Sequence, residues 1–256
     1  ALPEDWTGRM LSAYMRLHSD AYWFNFSTDV QVHHAALIER SKTQPLIIDA
    51  RPDPERACAE ITVICQDDAG LFARLSGACA RAGMDILDAR ISTTNNGLAV
   101  DVLHVQESGL STAPDATRAQ RLCKIMRAAL EGSVNLNHPP QTEMSEKTRR
   151  TLKTFDHETQ INFDNQASEH ASVLEISTSD RPSLLFDLAR ILYQCNVNII
   201  AARVATFGER ASDVFYVQDL FGDKLQSPAR MSRIRQAVAK AIDAPIEMHA
   251  DAPKVA

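Results

Sequence analysis

The apolar positions of this chain follow two rhythms, and the rhythms recur in the same order. Ile61, Val63 and Cys65 fall on every second residue, the period of a strand with one buried face. Leu71, Leu75, Ala78, Cys79 and Ala82 then recur at three-and-four spacing, the stripe of an amphipathic helix. Farther along, Leu174, Ile176 and Thr178 alternate, and Leu184, Leu188, Ile191 and Leu192 form a second stripe. Second helices are predicted by Leu122, Ile125, Met126 and Ala129, and by Met231, Ile234, Val238 and Ile242 after the start signal Ser227-Pro228. Asn95-Asn96-Gly97 and Gly208-Glu209 mark hairpin turns. Short closing strands are expected at Val134 to Leu136 and at Ile246 to Met248. The clearest alternation of all places Phe155, His157, Thr159, Ile161 and Phe163 opposite Asp156, Glu158, Gln160, Asn162 and Asp164.

The recurrence is a duplication with a fixed offset of 113. Asp67-Asp68-Ala69-Gly70-Leu71 falls on Asp180-Arg181-Pro182-Ser183-Leu184, Asp85-Ile86 on Asn198-Ile199, and Ala89-Arg90 on Ala202-Arg203. After one slipped residue near Asn96-Gly97, Asp101-Val102-Leu103-His104-Val105-Gln106 matches Asp213-Val214-Phe215-Tyr216-Val217-Gln218. Two copies are too few for a solenoid. Each copy reads as a β-α-β-β-α-β unit, and Ile48 and Ile161 lie in added strands upstream of each.

Composition narrows the function by exclusion. The net charge is −6, so no basic excess points to nucleic acid. Nine glycines are about half the usual share of roughly 7%, and none forms the glycine-rich turn of a dinucleotide site or a P-loop. No apolar run reaches the length of a membrane span. Five cysteines without a Cys-x-x-Cys spacing read as reduced thiols, and hence a cytoplasmic protein. The opening stripe of Trp6, Met10, Leu11, Tyr14 and Met15 reads as a start inside a larger protein.

A β-α-β-β-α-β unit with an Asp-x-Pro-Gly-Leu-like turn, in which Ala69 takes the place of the proline in the first copy, resembles the ACT domain, an amino-acid-sensing module. Phe163-Asp164-Asn165-Gln166-Ala167-Ser168, Asp180-Arg181-Pro182, Thr206-Phe207-Gly208-Glu209-Arg210 and Asp213-Val214-Phe215-Tyr216-Val217 resemble the C-terminal tandem ACT region of the bifunctional PII uridylyltransferase/uridylyl-removing enzymes. Leu2-Pro3, Tyr22-Trp23 and His33-His34 resemble the stretch leading out of the HD hydrolase domain of that family. The resemblance implies an α+β fold of tandem ACT (ferredoxin-like βαββαβ) domains, each with an added N-terminal strand, preceded by a short helical segment. The expected organisation is a helical remnant at 1–42, a first ACT domain at 43–138, a linker at 139–154 and a second ACT domain at 155–256.

The resemblance further implies a regulatory region that binds a small amino acid, glutamine, and switches the parent between adding UMP to PII and removing it. PII is then a partner through the parent enzyme. Magnesium is implied for the parent, no cofactor for this chain, and neither nucleic acid nor membrane as a partner; homodimerisation is left open. The Gly-Ser turn and aspartates of the nucleotidyltransferase site and the His-Asp pair of the hydrolase site have no counterpart, since His18-Ser19-Asp20 does not match. No catalytic residue and no metal ligand is therefore assigned.

The expected ligand site is the turn between the first strand and helix of each copy: Asp67, Asp68, Ala69, Gly70 and Leu71, with Asp180, Arg181, Pro182, Ser183 and Leu184. Free N–H groups at a helix N-terminus suit a carboxylate, and glycine lets a ligand approach the backbone closely. Asp85 and Asn198 open the strand beside each turn and are expected to complete the site. Ser183 replaces the glycine in the second copy, which favours the first. A plainer reading makes Asp67 and Asp180 helix caps, Asp85 and Asn198 turn formers, and the paired copies a structural or dimerisation module or a PII-docking surface.

Overall fold

The computed structural model describes residues 6–108, 110, 112–134, 136, 158–181, 183–207 and 210–243. Three helices come first: α1 (Gly8–Leu17), α2 (Asp20–Asn25) and α3 (Thr28–Ser41). The first copy follows as β1 (Ile47–Asp53), β2 (Cys58–Gln66), α4 (Leu71–Ala82), β3 (Met84–Arg90), β4 (Leu98–Glu107) and α5 (Ala116–Leu130). The second copy repeats the order as β5 (Gln160–Asp164), β6 (Ser172–Ser179), α6 (Leu184–Gln194), β7 (Val197–Phe207), β8 (Arg210–Asp219) and α7 (Pro228–Asp243).

The strands form one eight-stranded sheet in the order β1-β2-β4-β3-β7-β8-β6-β5. The order is palindromic, because β1, β2, β3 and β4 are the counterparts of β5, β6, β7 and β8. Register repeats as faithfully as order: Ile48 faces Val63, and Ile161 faces Ile176, each pair displaced by 113. Both copies also bulge at one place, between Ile86 and Asp88 and between Ile199 and Ala201. At the β3–β7 seam Arg90 pairs with Arg203, its own repeat counterpart. A residue that meets its equivalent lies on a two-fold axis, so the copies are joined as an isologous dimer is joined, within a single chain.

One face of the sheet carries α4, α5, α6 and α7 over a continuous apolar core that includes Leu75, Leu103, Leu122, Leu188, Phe215 and Val238. The other face of the first copy is covered by α1–α3 through Tyr14, Tyr22, Phe26, Leu37 and Ile38 against Ile47, Ile64, Val100 and Val102. That double burial explains why β4 is apolar on both sides, whereas the counterparts of Ile64 and Val100 are Ser177 and Ser212. Polar bonds fix the helices: the Tyr14 and Tyr22 hydroxyls lie 2.8 Å apart, and the Tyr22 hydroxyl lies 2.8 Å from His34 Nδ1. Arg90 donates to the Asn25 carbonyl at 2.5 Å and lies over the Phe26 ring.

The closing strand expected at Val134 to Leu136 is not formed at its described residues, Val134 and Leu136. The sheet position beside β2 is already taken by β1, and Leu136 instead packs on α4 at Gly77. The closing strand at 246–248, the linker at 139–154, Pro182 and the Gly208-Glu209 turn lie outside the described residues.

The left-handed backbone of the first turn persists in the second without its glycine. Gly70 has φ +81° and Ser183 has φ +62°. A left-handed conformation costs a residue with a Cβ about 1 kcal/mol, so Ser183→Gly is expected to raise stability by roughly 0.5–1 kcal/mol. Urea unfolding checks this, and a stability equal to or below that of the unsubstituted chain refutes it.

Candidate functional site

The two β–α turns leave their helix N-termini open. Gly70 and Ser183 are the cap residues of α4 and α6, and neither helix has a side-chain cap hydrogen bond. The N-cap position therefore belongs to neither Asp67 nor Asp180. Asp67 Oδ2 instead accepts from Thr93 Oγ1 at 2.7 Å, which fixes it beside the turn. The uncapped N–H groups remain available to an anion.

The next position has opposite charge in the two copies. Asp68 pairs with Arg74 at 2.7 Å, whereas Arg181 pairs with Asp187 at 2.7 Å. The repeat offset superposes these pairs with their signs exchanged. Arg181 also donates to the Ala241 carbonyl at 2.9 Å, which ties its turn to α7.

The expected site residues come together across the seam rather than within each copy. A cleft is lined by Asp67, Asp68, Gly70, Leu71 and Asp101 of the first copy and by Tyr193 and Asn198 of the second. Asn198 thus serves the other copy's turn. Asp85 correspondingly lies close enough to Asp180 for its charge to raise that carboxyl's pKa. The reason is topological: β3 and β7 lie side by side and antiparallel, so the start of each runs toward the opposite turn. Ala69 belongs to the turn without lining the cleft, and Leu184 begins α6 at the other end of the seam.

Two further residues shape the cleft. Asp101 is fully buried, and neither carboxyl oxygen has a well-formed hydrogen bond among the described residues. Burial raises its pKa well above the ordinary carboxylate range, Asp67 adds to this, and the Ser92 backbone partly offsets it. Tyr193 lies against Gly70, where an added Cβ would come within 2.9 Å of the ring. With the ring there, the cleft has room for little more than a water molecule.

The other end of the seam repeats the stack of carboxylates. Burial first, and then the Asp180 charge, pushes Asp213 up to about 7. Burial first, and then Asp85, pushes Asp180 up to about 6. Val63 faces Asp101 and Ile176 faces Asp213, so both acids occupy one register position beneath their turns. The sequence held a signal for them, an aspartate recurring inside an otherwise apolar strand. It held none for Tyr193, whose counterpart is Ala80.

The comparisons agree with this architecture. Residues 160–251 match the family model described as an ACR9-like, ACT-like domain. The chain is 36% identical over 236 residues to a bifunctional uridylyltransferase/uridylyl-removing enzyme of Nitrobacter winogradskyi, covering 91% of this chain and 25% of that protein. It is 37% identical over 245 residues to the enzyme so named in Rhodospirillum rubrum, covering 93% of this chain and 26% of the relative. The chain spans about a quarter of the length of the curated relatives it matches. An aspartate kinase structure from Synechocystis aligns at 14% identity over 77% of this chain and 41% of its own, with a TM-score of 0.20, which carries no argument.

Proposed function

We propose that this tandem ACT-like chain, similar to a quarter of the bifunctional uridylyltransferase/uridylyl-removing enzymes, is the amino-acid-sensing regulatory region of such an enzyme, with glutamine as its effector. The observation that carries the reading is the seam cleft, which sets an uncapped helix N-terminus and Asp67 opposite Asn198 of the other copy. Those are the groups an amino acid with a side-chain amide needs. The α4 N–H groups receive the α-carboxylate, Asp67 and buried Asp101 attract the ammonium, and Asn198 matches the amide with one donor group and one acceptor. Opposite charge beside a crowded carboxylate relieves its repulsion, and here the ammonium supplies it.

A ligand at this place touches both copies. It therefore stabilises one relation of the copies over another, which is the differential affinity a switch requires. Entry requires the Tyr193 ring to leave Gly70, so binding is coupled to a movement of α6 side chains over the seam. Control of PII uridylylation, magnesium-dependent chemistry on the parent's other domains and a cytoplasmic location belong to the same reading. Among the described residues, no helix is long and apolar enough to cross a membrane.

Calorimetry with glutamine tests the proposal. Saturable heat is expected, with binding lost in Gly70→Trp, whose side chain fills the Tyr193 contact and strains the left-handed backbone, and weakened about tenfold or more in Asp67→Ala. No heat at millimolar glutamine leaves the cleft as a packing feature of a structural module.

A further inference from the structure

The two copies differ by one residue in the hairpin that follows β3 in the first and β7 in the second. In the second copy β7 runs on to Phe207, which pairs with Arg210 of β8. In the first, β3 ends at Arg90, and the chain leaves the ladder before rejoining it through the Thr93–Ala99 bridge. The longer loop is a closed unit. The Gly97 amide donates to the Thr94 carbonyl at 2.9 Å, and the Thr94 hydroxyl donates to Asn96 Oδ1 at 2.7 Å.

One side of this loop holds the cleft and the other holds a helix. Thr93 Oγ1 donates to Asp67 Oδ2 at 2.7 Å, and the Asp67 amide donates to the Gly97 carbonyl at 2.8 Å. Asn95 takes the last two carbonyls of α1: its backbone N–H donates to Leu17 at 2.7 Å and its Nδ2 to Arg16 at 2.8 Å. Carbonyls at a helix C-terminus have no partner within the helix, so the end of α1 is tied to the loop. His18, the next residue, stacks on Tyr22 with ring centroids 3.6 Å apart and meets Trp23 edge-on at 5.6 Å. Arg90, on the seam itself, makes a parallel link to the end of α2 through the Asn25 carbonyl.

We propose that the Thr93–Gly97 loop is the element through which occupancy of the seam cleft is passed to α1–α3. The assignment rests on the reading of the cleft as an amino-acid seat. A ligand ammonium at Asp67 competes with the Thr93 hydroxyl for that carboxylate, and the loop shifts as one piece because its own bonds hold it together. The shift draws on the α1 carbonyls and moves His18 against Trp23. A packed, hydrogen-bonded unit that both sites bias is the physical requirement for such coupling. The second copy lacks the added residue, and Ser177 and Ser212 replace the apolar pair that seats the helices, so the route belongs to the first copy.

The chain carries its own reporter. Its two tryptophans, Trp6 and Trp23, pack on Tyr14 and His18 and line no part of the cleft, so their emission reports the helices. On titration of the whole chain with L-glutamine, tryptophan emission is expected to change and to saturate together with the calorimetric heat. Asn95→Ala removes the bond to Arg16 without altering the cleft lining. It should keep the resting emission and the glutamine heat while reducing the emission change about fivefold or more. Heat without an emission change in the unsubstituted chain overturns the proposal, as does an emission change undiminished in Asn95→Ala. A red-shifted resting emission in that variant also overturns it, because the loop is then a clamp for the helices and not a relay. Absence of glutamine heat overturns the reading of the cleft, and the relay with it, so the two failures are distinct.

Discussion

Asp213→Asn is expected to stabilise the folded chain by about 4 kcal/mol at pH 8 and to leave it almost unchanged at pH 4. The sign follows from the direction of the shift. Burial, with the Asp180 charge second, lifts the Asp213 carboxyl from an ordinary value of 3.8 to about 7 in the folded state. Between those values the folded chain holds a proton that the unfolded chain has released. Stability is therefore greatest below the unfolded pKa and falls as pH rises through the folded one. Asparagine keeps the shape, carries no charge and removes that loss. Asp180, lifted to about 6, and Asp101, also raised by burial, push in the same direction, so the unsubstituted chain should weaken steadily as pH rises from about 4 to 7. Urea unfolding at the two pH values measures this directly. A difference between variant and unsubstituted chain that does not grow with pH would mean that Asp213 is already satisfied in the folded state.

Much of this architecture was legible in the chain itself. The offset of 113 anticipated the shared register of β1–β2 and β5–β6, and the three-and-four stripes anticipated α4 to α7. Such features are set by local periodicity, which sequence records. The glycine of the first turn was legible for the same reason, since a left-handed φ is a local demand. The seam was not. Its one registered pair joins two arginines, and β3 carries no apolar pattern distinguishing an edge paired with another strand from one open to water. Without the seam, the repeat alone places Asp85 and Asn198 beside the turns of their own copies, although Asn198 lines the other copy's turn. The closing strand at Val134 failed for a related reason: whether β1 or a later segment pairs with β2 is settled by competition for one edge. Asp101 is visible in the repeat, but only full burial without a well-formed hydrogen bond among the described residues marks it as more than a repeated residue.

Gly77→Val is expected to abolish amino-acid binding at the seam cleft while destabilising the chain by about 1–3 kcal/mol. Helices α4 and α6 run antiparallel across the seam, with Gly70 against Tyr193 and Gly77 against Phe186. A Cβ at Gly77 would lie 2.8 Å from Phe186 Cε2, 3.0 Å from Cδ2 and 3.3 Å from Leu136 Cδ1. The Phe186 ring is buried, and the Arg190 guanidinium lies 5.9 Å from its centroid, so it has little freedom to swing away. The helices must then move apart, and the added width is felt at the cleft, whose lining is divided between the copies. Neither Gly77 nor Phe186 lines the cleft, so lost binding would report the spacing of the helices rather than a missing contact. The compensating substitution sharpens this: Phe186→Leu removes ring atoms where the valine adds them, and Gly77→Val with Phe186→Leu is expected to recover binding and most of the stability. A double-mutant cycle in calorimetry and in urea unfolding measures the coupling. Retained affinity in Gly77→Val alone would show that ligand recognition tolerates a changed seam. The junction of the copies could then not be the element through which an effector is read.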